Sequence, residues 1–233
     1  MFVKKKIIGI VAARSGSKGL KNKNLKKIMG KSITRIAAEF GSKISQLDKI
    51  IVSSDSSRIL DEVNNIKNVI KLKRRSKLSK DNVGMLPVIK DALQYYETLT
   101  GNFTKAVVVI DPTSPLRERY MIIKALKLFK KKKLDLVLSV HKAKYSPYFS
   151  ILEKKGNYFK ISKNAKDNLL SRQSSPKTYN VNTLVWIYSR KAIFGNIRIP
   201  KKTQVIETPI EKSIDIDTQN DLNQVKFFIK KNN

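Results

Sequence analysis

The chain has 233 residues, of which 41% are hydrophobic, so it is long enough to bury the core of one large α/β domain. It has no cysteine and only one histidine, His141, which excludes disulfides, thiolate metal sites and any site that needs two imidazoles. The formal net charge is +31. The excess is mostly scattered lysine, so we attribute it to overall composition or to attraction of anionic substrates rather than to a dedicated nucleic-acid surface.

No apolar run approaches the roughly 20 residues that a membrane helix needs, so we expect no membrane association. The first 14 residues combine basic residues, a short apolar run and small residues, which is a superficial likeness to a signal peptide. Arg14 follows the apolar run at once, where a cleaved leader would be polar but uncharged. We therefore expect a cytoplasmic protein.

The predicted elements alternate between strands and helices along the chain. Continuous apolar runs and β-branched residues predict strands at 5–13, 48–55, 68–72, 105–111, 134–140 and 182–189. Helical spacing of apolar residues predicts helices after Ser32 and at 56–64, 84–98 and 119–131, with a final helix after the sequence "IDIDTQNDL". This alternation predicts a doubly wound, mostly parallel α/β sheet in a single domain over residues 1–233.

The stretch 141–180 breaks the alternation of strands and helices. It contains hairpin-like sequence that turns at Gly156-Asn157, followed by polar, proline-containing loops. We interpret it as an insertion that lies over the sheet or contacts a second subunit.

Polar loops follow residues 13, 53 and 110, and a further polar segment lies at 215–217. In open parallel sheets, ligands bind beyond the carboxyl ends of the strands. We therefore expect these four segments to meet at one crevice.

The first of these loops, "ARSGSKGLKNKN", combines flexibility with positive charge. Gly16 and Gly19 allow a close approach of the backbone to a ligand, while Arg14, Lys18 and Lys23 suit phosphate oxygens. The spacing matches neither the P-loop nor the dinucleotide-binding pattern. The alternative is a plain surface turn.

The segment "IDID" predicts a metal site. Strand alternation would put Ile214 and Ile216 inward and Asp215 and Asp217 together on the other face. Two adjacent carboxylates are costly unless a cation shares them, and Mg²⁺ held by carboxylates and substrate phosphates fits. The alternative is that one aspartate merely caps the next helix, although Thr218 and Asp221 already have capping-box spacing.

Two further stretches offer polar groups to a substrate. "DPTSPLR" at 111–117 forms a rigid corner at a strand end with Asp111 and Arg117 available, or serves only as a structural corner. "SRQSSPKTYNVN" at 171–182 contributes Arg172, Gln173 and Asn182 as candidates for a polar, acidic substrate. We interpret His141 as structural and Trp186 as a core residue.

Taken together, these stretches resemble the acylneuraminate cytidylyltransferases. The family pattern "ARxGSKGLxxKN" is matched by "ARSGSKGLKNKN", "IIVSTD" by "IIVSSD", "QPTSPLR" by "DPTSPLR", and "IDIDT" is unchanged. The stretch "RRSKLSKD" at 74–81 is similar to the family's "RPxxLAxD", and Arg172-Gln173 to its "RQ". The resemblance extends over nearly the whole chain in the same order.

The resemblance implies a Mg²⁺-dependent enzyme that joins CMP from CTP to a nine-carbon 2-keto sugar acid and releases pyrophosphate. It also implies a Rossmann-like homodimer with an inserted dimerisation segment, and it leaves the general base open between Asp215 and a water on the metal. By matched position it implies these roles: CTP phosphates at Arg14 and Lys23, nucleotide placement by Ser15, Gly16, Asn24 and Arg74, Mg²⁺ at Asp215 and Asp217, and sugar contacts from Asp111, Arg172, Gln173 and Asn182.

Departures from the pattern concern the sugar. Asp111 stands where neuraminate-activating members carry Gln, and "YSPYF" at 145–149 is more similar to the legionaminic and pseudaminic acid branch. Two alternatives remain: a cytidylyltransferase for the eight-carbon acid Kdo, whose "RxxSxRLPGKPL" loop this chain lacks, and a non-catalytic basic protein that binds nucleic acid.

Overall fold

The computed structural model describes residues 5–164 and 175–231. Its main feature is a seven-stranded sheet in the order β11-β7-β10-β6-β1-β4-β5. The strands of this sheet are β1 (Lys5–Ala12), β4 (Ile50–Ser54), β5 (Val69–Lys73), β6 (Phe103–Val109), β7 (Leu136–Lys142), β10 (Tyr179–Ser189) and β11 (Thr203–Glu207).

The sheet is mostly parallel, as the alternation predicts. β1 pairs in parallel with β4 and β6, β4 with β5, and β11 with β7, whereas β10 runs antiparallel between β6 and β7. The register of β10 against β7 is interrupted between Val181 and Trp186, so the strand bulges at the edge of the sheet where the loops converge.

Helices cover both faces of the sheet. The helices are α1 (Ile33–Ser42), α2 (Ser57–Asp61), α3 (Met85–Thr100), α4 (Arg119–Lys132), α5 (Arg190–Phe194) and α6 (Gln219–Lys231). The apolar face of α3 packs on one side of the sheet, and α1 and α4 pack on the other. The Ser32 side chain accepts a hydrogen bond from the Arg35 amide at 3.2 Å, which confirms the predicted cap of α1.

Smaller elements complete the described chain. Two short hairpins are formed by β2 (Lys27–Ile28) with β3 (Lys31–Ser32), and by β8 (Leu152–Lys155) with β9 (Tyr158–Ile161). Gly156 turns the second hairpin at φ 64°, as predicted. The sequence did not predict β11, α5 or the first hairpin. In the described part of the chain, no helix has the length and apolarity needed to cross a membrane.

A third, smaller hydrophobic cluster positions the end of the chain. It joins Leu20 from the loop after β1, Ile33 from α1, and Leu222 and Val225 from α6, and at its centre lies Ile216, which is fully buried. The segment that contains Asp215 and Asp217 is therefore held beside the loop that follows β1.

Candidate active site

The loop after β1 is tied to itself by side-chain hydrogen bonds. Asn24 is buried, and its Nδ2 donates to the Arg14 carbonyl at 2.8 Å. The Ser17 hydroxyl donates to the Leu20 carbonyl at 2.7 Å and accepts from the Lys23 amide at 3.1 Å. These contacts give the basic residues of the loop defined positions, which a plain surface turn does not require.

The rim of this loop contacts the end of β4. The Ser15 amide and hydroxyl both donate to the Asp55 carboxylate, at 2.8 and 2.7 Å. Gly16 is exposed, and a Cβ built there would lie more than 4 Å from other protein atoms. A Cβ on Gly19 would lie 2.6 Å from the Asp217 carbonyl oxygen, so the absence of a side chain at Gly19 lets the loop approach the acidic segment.

Three of the four predicted polar segments line one cavity of about 300 Å³ beyond the strand ends. Its lining includes seven of the predicted site residues: Arg14, Lys23, Asn24, Arg74, Asp111, Asp215 and Asp217. Ser15 and Gly16 belong to the loop after β1 but are not among the lining residues. The segment after residue 53 does not line the cavity and contacts only its rim, through Asp55 and Ser15, so the predicted convergence is confirmed for three segments.

The segment "IDID" is irregular backbone and not a strand, so the strand alternation expected there is wrong. Its aspartates nevertheless reach the same cavity, because the fully buried Ile216 anchors the segment between them. The Thr218-Asp221 pair caps α6, since Asp221 accepts from the Thr218 amide at 2.7 Å and its own amide donates to the Thr218 hydroxyl at 3.3 Å. Asp215 and Asp217 are therefore not needed as caps.

Asp215 has one side-chain oxygen without a hydrogen-bond partner among the described residues. This atom, Oδ1, is buried. Burial raises the pKa of this carboxyl, a hydrogen bond from Thr113 opposes the rise, and the neighbouring Asp111 and Asp217 add to it. Such a carboxylate is stabilised by a cation.

Asp217 lies at the exposed side of the cavity and pairs with Lys23, whose Nζ is 2.7 Å from Asp217 Oδ1. Among the described residues, no cluster of three or more carboxylate or imidazole side chains is suited to a metal ion. A divalent cation in this cavity would have to complete its coordination with water or ligand oxygens.

Arg74 reaches the cavity from the end of β5. It is buried, and its guanidinium donates to the Ser53 hydroxyl at 3.1 Å and the Ser53 carbonyl at 2.7 Å. Burial lowers the pKa of Arg74. The hydrogen bonds to Ser53 fix the direction in which this cation faces the cavity.

The corner after β6 is held by Arg117, which is buried. Its guanidinium donates to three carbonyls, those of Leu184 at 2.5 Å, Asp111 at 2.9 Å and Thr183 at 3.1 Å. Burial lowers the pKa of Arg117 to about 10. Arg117 therefore has a structural role, because it joins the corner after β6 to β10. The Asp111 carboxylate at the cavity is oriented by the amide and hydroxyl of Thr113, which both donate to it.

A second cavity, of about 490 Å³, adjoins the first. The two share Gly84, Met85 and Asp111. The second has a largely apolar wall, to which Trp186 and Tyr188 contribute, and it also includes Arg198.

Trp186 is therefore only partly a core residue, since it packs on the core and also faces this cavity. The sequence prediction missed the role of Trp186 because a buried and a cavity-facing aromatic look alike in a strand pattern. It missed Arg198 because no motif surrounds that residue.

Two other residues considered in the sequence, Asn182 and His141, are described and line neither cavity. Asn182 is buried at the bulge of β10, where its Nδ2 donates to Thr208 at 3.0 Å and to Ser213 at 3.1 Å. Its contact with a sugar stays a prediction, and Arg172 and Gln173 fall outside the described residues.

Comparison with known proteins gives consistent matches over the whole chain. A family model described as "Cytidylyltransferase" matches residues 8–232. The chain is 31% identical over 230 residues to "Post-translational flagellin modification protein B" of Campylobacter coli, which covers 97% of this chain and 96% of that protein. It is 29% identical over 228 residues to "CMP-N,N'-diacetyllegionaminic acid synthase" of Campylobacter jejuni, with coverage of 97% and 96%.

Among solved structures, a CMP:2-keto-3-deoxy-manno-octonic acid synthetase complexed with CTP superposes with a TM-score of 0.67. The superposition covers 98% of this chain and 100% of that chain at 14% identity, so it shows a shared fold.

Proposed function

Because the chain belongs to the cytidylyltransferase family, and is thus a nucleotidyltransferase, we propose that it transfers CMP from CTP to a nine-carbon 2-keto sugar acid and releases pyrophosphate. The observation that carries this proposal is the single cavity in which Arg14, Lys23 and Arg74 face Asp215 and Asp217. A cavity with cations on one side and paired carboxylates on the other suits a nucleoside triphosphate with a divalent cation.

The cationic side would hold the phosphates. Arg14 and Lys23 come from the loop after β1, and Ser15 and Gly16 on the same loop would help place the nucleotide from its rim, where Ser15 is held by Asp55. Attack on the α-phosphorus moves negative charge onto the departing pyrophosphate, so fixed cations supply most of the catalysis by positioning and electrostatic stabilisation. No covalent enzyme intermediate is needed, which agrees with a chain that has no cysteine.

Asp215 and Asp217 would hold Mg²⁺. The buried, unpartnered Oδ1 of Asp215 and the exposed carboxylate of Asp217 fit a hard cation that also takes phosphate oxygens. When bound, Mg²⁺ would neutralise phosphate charge and hold the triphosphate in one orientation. Lys23, which pairs with Asp217 at 2.7 Å, would then be free to contact phosphate.

The sugar acid would occupy the second cavity, which meets the first at Asp111. The Trp186 ring offers an apolar surface for the sugar and its acyl groups. Arg198 is the cation of this cavity, and no described residue makes a hydrogen bond or ion pair with its guanidinium, so it is available for the sugar carboxylate. Arg172 and Gln173 would add contacts to the sugar acid. The similarity to the CMP-N,N'-diacetyllegionaminic acid synthase of Campylobacter jejuni favours an acid of the legionaminic type as the substrate.

The central experiment supplies purified protein with CTP, Mg²⁺ and a panel of acids, and measures pyrophosphate. The panel contains neuraminic, legionaminic and pseudaminic acid derivatives and Kdo. We expect release with at least one nine-carbon acid and loss of release when the metal is chelated. Folded protein that releases no pyrophosphate with any acid would refute the proposal, and preferential use of Kdo would replace the nine-carbon substrate.

Two variants test the residue assignments. Asp217→Asn should abolish turnover with a change in unfolding free energy of about 1 kcal/mol or less, whereas Asp61→Asn, on the exposed side of α2, should leave turnover unchanged. Arg198→Ala should raise the KM for the sugar acid and leave the KM for CTP unchanged. Full activity in Asp217→Asn would remove the metal assignment.

We also propose that the β8–β9 hairpin forms a homodimer interface. Its side chains Leu152, Tyr158 and Phe159 are 56%, 75% and 63% exposed, which is unusual for three apolar residues on one hairpin. Phe159→Glu should shift the protein from dimer to monomer in sedimentation analysis. Phe227→Glu, on α6 at the same exposure of 63%, is the matched control and should leave the mass unchanged.

A further inference from the structure

One carboxylate at the cavity engages the cations that the phosphates would need. Asp81 Oδ1 lies 2.5 Å from Arg14 Nη1, and its Oδ2 lies 2.8 Å from Lys18 Nζ. The hydrogen bonds from Lys18 and Arg14 lower the pKa of Asp81, so the carboxylate is ionised at neutral pH. Each of its oxygens is thus matched to one cation of the loop after β1.

Asp81 lies in an exposed segment, so its carboxylate can move away from Arg14 and Lys18. It belongs to the segment between the short helical turn Ser76–Leu78 and the start of α3 at Met85, and it is exposed. The segment borders the cavity and continues into Gly84 and Met85, which line both cavities. Asp81 is therefore an exposed residue of the cavity lining, on a different segment of the chain from Asp215 and Asp217.

Carboxylate and phosphate oxygens are equivalent ligands for a guanidinium or an ammonium group. A triphosphate that binds Arg14 must therefore displace the Asp81 carboxylate or bind beside its negative charge, which repels it. The pair between Lys23 and Asp217 differs, because a cation that binds with the nucleotide would give Asp217 a new partner.

We propose that Asp81 is an intramolecular competitor of the substrate phosphates: it occupies Arg14 and Lys18 while the site is empty and must release them before the triphosphate binds fully. This inference rests on the proposed function, since it takes the cavity as the phosphate site. Asp81 thereby sets the affinity for the nucleotide and limits capture of single phosphate ions, which have less charge with which to displace it.

The opposite role makes the opposite prediction. If Asp81 instead positioned Arg14 for the substrate, removal of its charge would weaken phosphate binding. The sign of the change in affinity on Asp81→Asn therefore distinguishes competition from positioning.

The experiment titrates wild-type protein and Asp81→Asn with inorganic pyrophosphate in a calorimeter, without metal or sugar, at low and at high salt. We expect about two- to fivefold tighter binding by the variant at low salt, because the pairs it loses are exposed. The advantage should shrink at high salt, where charges are screened. In steady-state kinetics, the KM for CTP should fall while kcat is unchanged.

Glu39→Gln is the matched control. The Glu39 carboxylate also bridges two cations, Lys31 at 2.6 Å and Arg35 at 2.8 Å, but it lies on α1, and none of the three lines either cavity. Its removal changes the net charge equally and should leave pyrophosphate binding unchanged. If Asp81→Asn does not fold, as judged by thermal denaturation, Asp81→Ser removes the same charge and replaces it.

Unchanged or weaker pyrophosphate binding by Asp81→Asn would overturn the inference and leave the proposed function standing, provided that wild-type protein binds pyrophosphate. Equal tightening by Glu39→Gln would also overturn it, since the effect would then belong to net charge. If folded wild-type protein binds neither pyrophosphate nor CTP, the proposed function itself fails, and the inference fails with it.

Discussion

The close approach of the loop after β1 to the acidic segment depends on Gly19. A Cβ at this position would lie 2.6 Å from the Asp217 carbonyl oxygen, whereas ordinary van der Waals contact begins at about 3.4 Å, so Gly19→Ala must separate the two segments by roughly 0.8 Å. The backbone of Gly19 is outside the left-handed region, so alanine is conformationally acceptable and the clash is the main effect.

The separation displaces two groups that the proposed reaction needs to keep at a fixed distance. Lys23 and Asp217 lie on the two segments that must move apart, and Lys23 Nζ is 2.7 Å from Asp217 Oδ1. A displacement of about 1 Å can cost on the order of 100-fold in rate, so we expect Gly19→Ala to lower kcat/KM for CTP by about 10- to 100-fold. This corresponds to roughly 1.4–2.7 kcal/mol of transition-state stabilisation.

The assay is pyrophosphate release at varied CTP, with thermal denaturation measured in parallel. Leu20 and Ile216, next to Gly19 and Asp217, are buried in one cluster, so the unfolding free energy should also fall, by about 1–3 kcal/mol, and activity is compared at a temperature where the variant is folded. Gly16→Ala is the comparison variant from the same loop, because its Cβ would meet no protein atom within 4 Å. Gly19→Ala protein with activity within twofold of wild type, or with a loss no larger than that of Gly16→Ala, would refute the reasoning.

Two further predictions concern buried charges. Arg117→Met should lower the free energy of unfolding in urea by about 3 kcal/mol, because the carbonyls of Asp111, Thr183 and Leu184 lose their donor; a loss under about 1 kcal/mol would contradict this. Asp215→Asn should be inactive yet more stable than wild type. Burial raises the pKa of Asp215 above its ordinary value of 3.8, so wild-type stability falls as pH rises from that value through the folded pKa, and the variant lacks this fall. The difference in melting temperature between Asp215→Asn and wild type should therefore widen from about pH 4 upwards. A difference that does not change with pH would contradict a raised pKa for Asp215.

The central strands were predictable because they are buried on both faces. β1, β4 and β6 are continuous apolar runs, and the loops that follow them meet as the topology of a parallel sheet requires. β11 was missed because it is an edge strand whose residues are mostly exposed, which removes the apolar signal. The resemblance to the cytidylyltransferases, which rested on motifs in order, is confirmed at the level of the family.

The sequence predicted many of the residues that line the cavity, but it did not predict how the fold holds them. The alternation in "IDID" is the pattern of a half-buried strand, yet the segment is not a strand, and the packing of Ile214 and Ile216 on the third hydrophobic cluster accounts for it. Arg117 looked available for a ligand, but its guanidinium is used by three backbone carbonyls that are distant in sequence. Tertiary contacts of this kind leave no periodic trace in a single sequence, and the same holds for the pairing of Asp81 with Arg14.

The third hydrophobic cluster also bears on biosynthesis. Lys23 and Asp217 are separated by 194 positions, and the cluster that contains Leu20 and Ile216 also contains Leu222 and Val225 of α6, which follows every strand of the sheet. During synthesis the cationic half of the site is complete long before the acidic half exists, and long-range contacts of this kind form late in folding. The strands of the sheet can therefore pair before α6 and the segment of Asp215 and Asp217 pack beside the loop after β1.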